Sequence, residues 1–280
     1  MQQTLSKHYF DHRAPSLGVR LMEELRASGW LAVVRACMFV IASSMGRRKF
    51  RFSLMGHPFC VRGNPRKLGI DGLLFARRER LEAELKPYFR LNQSGSAFLD
   101  IGANYGYWSR FILADSRARG VSGVSIVAFE PVPSNYELLI DNMKEVPESS
   151  SQVSCEQLAV SDTSGTCFMN ASNGDPGSAF ASDSGSIECR VTSIDEYVEA
   201  HRIGNVALMK IDVEGFGMRV LKGARRTILR DRPLIICEVI ASHLARAGSS
   251  SDDVLLEVNR LGYSRQRISD ADYIFRPIPY

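Results

Sequence analysis

The segment Phe98-Leu99-Asp100-Ile101-Gly102-Ala103-Asn104-Tyr105-Gly106 runs from a short apolar stretch into a carboxylate and then a glycine turn, and residues 107–116 continue with helical character. A strand that ends in an acid and turns through glycine into a helix is the first half of a βαβ unit. In open sheets of this kind ligands bind beyond the carboxyl ends of the strands. Gly102 and Gly106 allow a backbone that side chains would forbid, close to such a ligand.

Working outward, the same alternation recurs. Val124–Phe129 is a second apolar run, closed by Glu130-Pro131, and Pro133 opens a helix through about Val146, a position where proline is tolerated. Strands are expected at Val153–Val160, Val206–Asp212 and Pro233–Ile240, with helices at 215–229 and Asp252–Gly262. Ser264–Ile278 reads as two strands around Asp270-Ala271-Asp272, and Ser193-Ile194-Asp195-Glu196 as a capping box. The Ser/Gly/Asn-rich stretch Ser161–Ser186 reads as a long irregular loop. The whole predicts an α/β, Rossmann-like fold around a mostly parallel sheet. Upstream, residues 1–46 read as helical, Phe50–Val61 as a β-hairpin, and Leu73–Leu91 as a second amphipathic helix. The expected organisation is an N-terminal helical and hairpin extension over 1–69, acting as lid or acceptor platform, and a catalytic domain over 70–280.

Composition excludes several classes. The chain has 280 residues, 45% hydrophobic and 24% charged, which rules out a disordered or fibrous protein. Six scattered Cys form no C-x-x-C pair and suggest reduced thiols in a cytoplasmic enzyme. The most apolar early stretch, Trp30–Ser43, contains Arg35 and is too short to span a bilayer; weak contact with a membrane surface is compatible with it. The first 96 residues hold 17 Lys and Arg against 7 Asp and Glu, and the rest hold 18 against 24. A basic front half suits an anionic partner or a solvated surface.

The glycine turn is D-x-G-x-x-x-G, not the G-x-G-x-x-G that seats a pyrophosphate on a helix N-terminus. Asp100 beside the turn disfavours phosphate and favours a cationic amine. S-adenosylmethionine, which combines an ammonium, a carboxylate and an adenosine without phosphate, fits. Glu130 ends the next strand, where an acid accepts from both ribose hydroxyls. Asp212 ends the fourth strand, over the same cleft, and Glu238 ends the fifth, where it serves either the site or a structural pair with an Arg. Asp212 is favoured as the base that takes a proton from an acceptor hydroxyl, with His243 as the competing base and Glu238 as a further catalytic candidate. Glu214 reads as a cap of the helix it begins. Asp212, Glu214 and Glu238 offer oxygen ligands to Mg²⁺, but no metal is expected.

The stretches FLDIGANYGYWS, AFEPVPSNYELL, LAVSD, VTSIDEY, LMKIDVEG, VLKGA and PLIICE, in this order, resemble the FkbM family of S-adenosylmethionine-dependent methyltransferases over about residues 70–275. The resemblance implies a class I methyltransferase fold, with a seven-stranded sheet whose last strand is antiparallel. It also implies transfer to a hydroxyl oxygen, often of a sugar, glycan or natural product. Asp100, Gly102, Asn104 and Gly106 then line the methionine end. Glu130 holds the ribose, Ala159, Ser161 and Asp162 the adenine edge, and Asp212 lies near the methyl. Tyr107 and Pro131 complete the expected cofactor-binding set. One position departs from the family pattern: a second Glu is usual where this chain has Gly217. The alternatives are a nucleic-acid methyltransferase using the basic N-terminal region and a non-catalytic cofactor-binding scaffold. The absence of N-P-P-Y or D-P-P-Y argues against the first, and only Gly217 supports the second. A nicotinamide oxidoreductase is disfavoured by the missing fingerprint.

Overall fold

The computed structural model describes residues 49–54, 57–62, 86–146, 152–171, 179–181 and 185–279. The chain divides into two compact units, Met1–Lys86 and Pro87–Tyr280. The expected helices over 1–46 and over 73–85, and the expected boundary at 69/70, lie outside the described residues. Lys86–Tyr88 is a single 3-10 turn, so the last residues of the helix expected to reach Leu91 are not α-helical. In the first unit, β1 (Lys49–Leu54) and β2 (His57–Arg62) pair antiparallel, as the alternation predicts, with Phe52 opposite Phe59.

The second unit runs β3 (Ala97–Ile101), α1 (Tyr107–Ala118), β4 (Ser125–Phe129), α2 (Pro133–Lys144), β5 (Val153–Glu156), β6 (Ala159–Val160), β7 (Gly165–Ala171), β8 (Ala179–Ala181), β9 (Ile187–Thr192), α3 (Ile194–Ala200), β10 (Val206–Ile211), α4 (Gly217–Gly223), α5 (Arg225–Asp231), β11 (Leu234–Glu238), α6 (Ala241–Arg246), α7 (Ser251–Arg260), β12 (Tyr263–Arg267) and β13 (Asp272–Pro277). Seven of these strands form one sheet in the order β12-β13-β11-β10-β3-β4-β5. Strands β5, β4, β3, β10 and β11 are parallel, and β13 enters antiparallel between β11 and β12. The doubly wound α/β fold with an antiparallel last strand is therefore as expected.

The central strands read as continuous apolar runs because helices cover both faces. All five residues of β3 are buried, and so are four of five in β4. β12, at the edge, exposes Ser264, Arg265, Gln266 and Arg267, and its charges discourage pairing with another chain. Strand order reverses between β3 and β10, so their carboxyl ends open the crevice where a ligand sits in this class of sheet.

Other expectations are corrected. The strand expected over Val153–Val160 breaks after Glu156, and β6 leaves the main sheet to pair with β9. The stretch expected to be an irregular loop carries β7 and β8, which join β6 and β9 in a second, four-stranded sheet. The helix expected over 215–229 is two helices. Asp195, from α3, accepts from the N–H groups of Arg226 and Thr227 at 2.9 and 2.8 Å and so caps a fresh start at α5. Ser193 Oγ accepts from the Glu196 N–H at 3.2 Å, the N-cap half of the predicted box. The Glu196 carboxylate instead accepts from the Ser164 hydroxyl.

Candidate active site

Asp100 is fully buried in β3. Its Oδ2 accepts from the Ser109 hydroxyl at 2.6 Å and the Ser109 N–H at 3.1 Å, which ties the strand end to the first turn of α1. Its Oδ1 is buried without a hydrogen-bond partner among the described residues, and the same holds for Asn104 Oδ1 in the glycine turn. Buried acceptors without donors are costly. One at the end of β3 and one on the turn that follows fit a ligand that brings donors, such as the ammonium and hydroxyls of S-adenosylmethionine. Burial raises the Asp100 carboxyl above its usual range, opposed chiefly by Lys210.

Glu130 follows β4 and is also buried. Its Oε2 accepts from the Asn104 N–H at 2.9 Å, and its Oε1 from the Val132 N–H at 3.0 Å and Asn135 Nδ2 at 3.4 Å. The carboxylate thus staples the glycine turn to the start of α2 and keeps acceptor capacity for a further donor. Burial pushes it up to about 7, against the pull of these N–H groups.

Gly102 has φ 82°, and a β-carbon there would collide with the Asp212 carbonyl, so only glycine lets the ends of β3 and β10 approach. Gly106 is the left-handed N-cap of α1, and Asn104 shares that region at φ 51°. The turn therefore brings together Asp100, Gly102, Asn104, Gly106 and Glu130 beside Asp212. Tyr107 is buried in α1, edge-on to Trp108 at 5.1 Å. The Pro131 carbonyl accepts from Cys189 Sγ at 3.4 Å, joining this edge to the second sheet. Ala159 lies in β6, and Ser161 follows it with its N–H donating to the Thr192 carbonyl at 3.0 Å. Both are tied to the second sheet.

At the end of β10, Asp212 Oδ2 lies 2.8 Å from Lys210 Nζ. Lys210 is buried in β10 and stands opposite Asp100 in the β3 register, so one internal ammonium serves two carboxylates. Sequence reasoning missed it; a lysine inside the otherwise apolar run Val206–Ile211 is the signal that marks it. Beyond Asp212 the chain brings Glu214, Glu238 and His243 together. His243 Nδ1 lies 3.2 Å from Glu214 Oε2 and 3.4 Å from Glu238 Oε2. Glu238 is pushed up to about 8 by burial and then by Asp212 and Glu214. His243 is lowered by burial and by Arg246, with Asp212 opposing. Glu214 does not cap α4, whose N-cap is Phe216 with no side-chain cap bond. It sits at φ 52° and turns its carboxylate toward His243 and Arg246. Gly217, the residue that departs from the family pattern, is the first residue of α4; a β-carbon there would lie 3.3 Å from Cys237 Sγ.

The sheet order, the strand-end acids and the glycine turn define a class I methyltransferase fold. The chain belongs to the FkbM methyltransferase family: the Methyltransferase FkbM domain matches residues 100–265. A hexuronic acid methyltransferase, AglP of Haloferax volcanii, is 28% identical over 143 residues, 51% of this chain and 55% of its own length. The chain thus spans little more than half of that relative. Among solved structures, the methyltransferase FkbM of Methylobacillus flagellatus is similar at 19% identity and a TM-score of 0.46, over 66% of this chain and 44% of that one. The SAH-bound methyltransferase PaMTH1 of Podospora anserina is similar at 14% identity and a TM-score of 0.40, over 66% and 72%. Among the described residues no helix is long and apolar enough to cross a membrane.

Proposed function

We propose that the chain is an S-adenosylmethionine-dependent O-methyltransferase acting on a hydroxyl of a sugar, glycan or glycan-like natural product. The observation that carries this reading is the pair of buried acids at adjoining strand ends, Asp100 and Glu130, with an unsatisfied acceptor oxygen on Asp100 itself and another on Asn104 in the turn between them. Membership of the FkbM family supports the reaction, and the hexuronic acid methyltransferase among its relatives supports a carbohydrate acceptor.

When bound, S-adenosylmethionine supplies an electrophilic methyl on a sulfonium, with a neutral thioether as leaving group. Asp100 and Asn104 take donors at the methionine end, and Glu130 takes the ribose hydroxyls. Pro131, Ala159 and Ser161 flank the adenine side, and Tyr107 walls the pocket from within α1. Asp212, held by Lys210, orients the acceptor hydroxyl and takes its proton as the oxygen–carbon bond forms. Most of the acceleration comes from alignment, worth up to about 7–11 kcal/mol, and proton removal adds about 10²–10⁴-fold. The basic extension over 1–69 is assigned, as part of this proposal, the role of lid and acceptor platform for anionic sugars such as hexuronates.

The test is transfer of a labelled methyl group to a panel of hydroxylated acceptors: hexuronic acids and their oligosaccharides, neutral sugars, polyketide-type alcohols and RNA. Label on a carbohydrate hydroxyl, cut about 10²-fold or more in kcat by Asp212→Asn, supports the reading. Label on RNA alone, or on no acceptor although the cofactor binds, overturns it.

A further inference from the structure

We infer that Glu214, Glu238 and His243 form a binding site for one divalent metal cation, beside Asp212 at the carboxyl ends of β10 and β11. One oxygen from each glutamate and one imidazole nitrogen lie within 4.8 Å of one another. They arrive from three separate places: the turn after β10, the end of β11, and α6. Ligand atoms that sit about 2.1 Å from a common metal are roughly 3.0–3.4 Å apart. The two distances from His243 Nδ1, 3.2 and 3.4 Å, match that spacing.

The chemistry of the cluster points the same way. An imidazole nitrogen carries at most one proton, so His243 Nδ1 at most shares a single N–H between the two carboxylate oxygens that crowd it. A cation in the same place accepts the nitrogen lone pair and both oxygens at once. Around it stand Asp212, Glu214, Glu238 and Asp272. Lys210 Nζ lies 2.8 Å from Asp212, and Arg246 Nη2 lies 3.9 Å from Glu214. The three side chains are 21, 17 and 26% exposed, so an ion and a substrate oxygen can reach them.

The cluster is also held in place. Gly215, at φ 105°, passes so close beneath the His243 carbonyl that a β-carbon would collide with it. The Glu214 carbonyl accepts from Arg246 Nη2 at 3.3 Å. These contacts fix the turn against α6. Two carboxylates with one imidazole suit a first-row ion such as Mn²⁺ better than Ca²⁺, which takes six to eight oxygens. The structural site stands on its own. Its role, easing ionisation of the acceptor hydroxyl next to Asp212, rests on the methyl-transfer reading.

Metal-stripped full-length protein is titrated with MnCl₂, with free Mn²⁺ read by electron paramagnetic resonance, and then with S-adenosylmethionine by calorimetry. The expected result is one saturable Mn²⁺ site per chain, weakened about tenfold or more by His243→Ala and by Glu238→Gln and unaffected by Glu130→Gln. Circular dichroism identifies folded variants, and Glu214→Gln replaces either one that misfolds. No saturable Mn²⁺ binding, or equal binding in wild type and every folded cluster variant, overturns the site. Cofactor binding in the same samples separates the claims: intact cofactor binding without Mn²⁺ binding rejects the metal site alone, and the reverse rejects the cofactor reading alone.

Discussion

Lys210, buried in β10, lies 2.8 Å from Asp212, stands opposite Asp100 in the strand register and opposes the rise of the Asp100 carboxyl. Removing one partner of a buried ionic group leaves charge uncompensated, which is strongly destabilising. Lys210→Met is expected to cost about 3 kcal/mol, or roughly 6–12 °C in Tm for a unit of this size. Calorimetric melting measures it, and an unchanged Tm would show that the acids are balanced elsewhere. Glu130 carries a different prediction. In the unliganded protein its carboxyl is pushed up to about 7, so below that pH it is neutral. Ribose hydroxyls donate better to the ionised form. Cofactor affinity should therefore fall as pH drops through 7, by about tenfold per unit. Glu130→Gln should bind more weakly near pH 8 and lose this pH dependence; a pH-independent wild-type affinity between pH 6 and 8 would contradict the assignment.

Helix starts decide much at the level of elements. Ser193 caps α3 through the Glu196 N–H, and Asp195 in the first turn of α3 then caps α5. Ser193→Ala should cost about 1 kcal/mol, or roughly 2–4 °C in Tm, and a loss much greater than this would mean that Asp195 is displaced as well. The central strands β3, β4, β10 and β11 were legible because burial on both faces makes them nearly uninterrupted apolar runs. The second sheet was not: β7 begins in Ser/Gly-rich sequence and leaves Phe168 exposed. Its partner β9, Ile187-Glu188-Cys189-Arg190-Val191-Thr192, does alternate, and a period-2 reading finds it. The split of 215–229 into two helices depends on a carboxylate some thirty residues away, which no local pattern records. Asp100, Glu130 and Asp212 were readable as strand-end acids, whereas the turn of Glu214 toward His243 is set by the packing of Gly215 under α6.

Over the whole molecule, the FkbM domain match lies within the unit Pro87–Tyr280, and that unit carries the complete seven-stranded sheet. The acceptor-platform role proposed for the N-terminal region predicts a separation of functions. A chain lacking residues 1–69 should lose acceptor turnover more than cofactor binding, as read by labelled-methyl transfer and calorimetry on the same preparation. Full turnover by that truncated chain would refute the platform.

The central claim is that the Asp100–Gly106 turn and Glu130 hold S-adenosylmethionine. Titration calorimetry of the cofactor into wild-type protein and into Glu130→Ala at pH 8 tests it most directly. The account predicts saturable one-to-one binding to wild type. It predicts a loss of about 1.5–3 kcal/mol in the variant, the worth of a hydrogen bond to a charged group, or roughly 10–150-fold in Kd. No binding to the folded wild type, or equal affinity in folded Glu130→Ala, would contradict it.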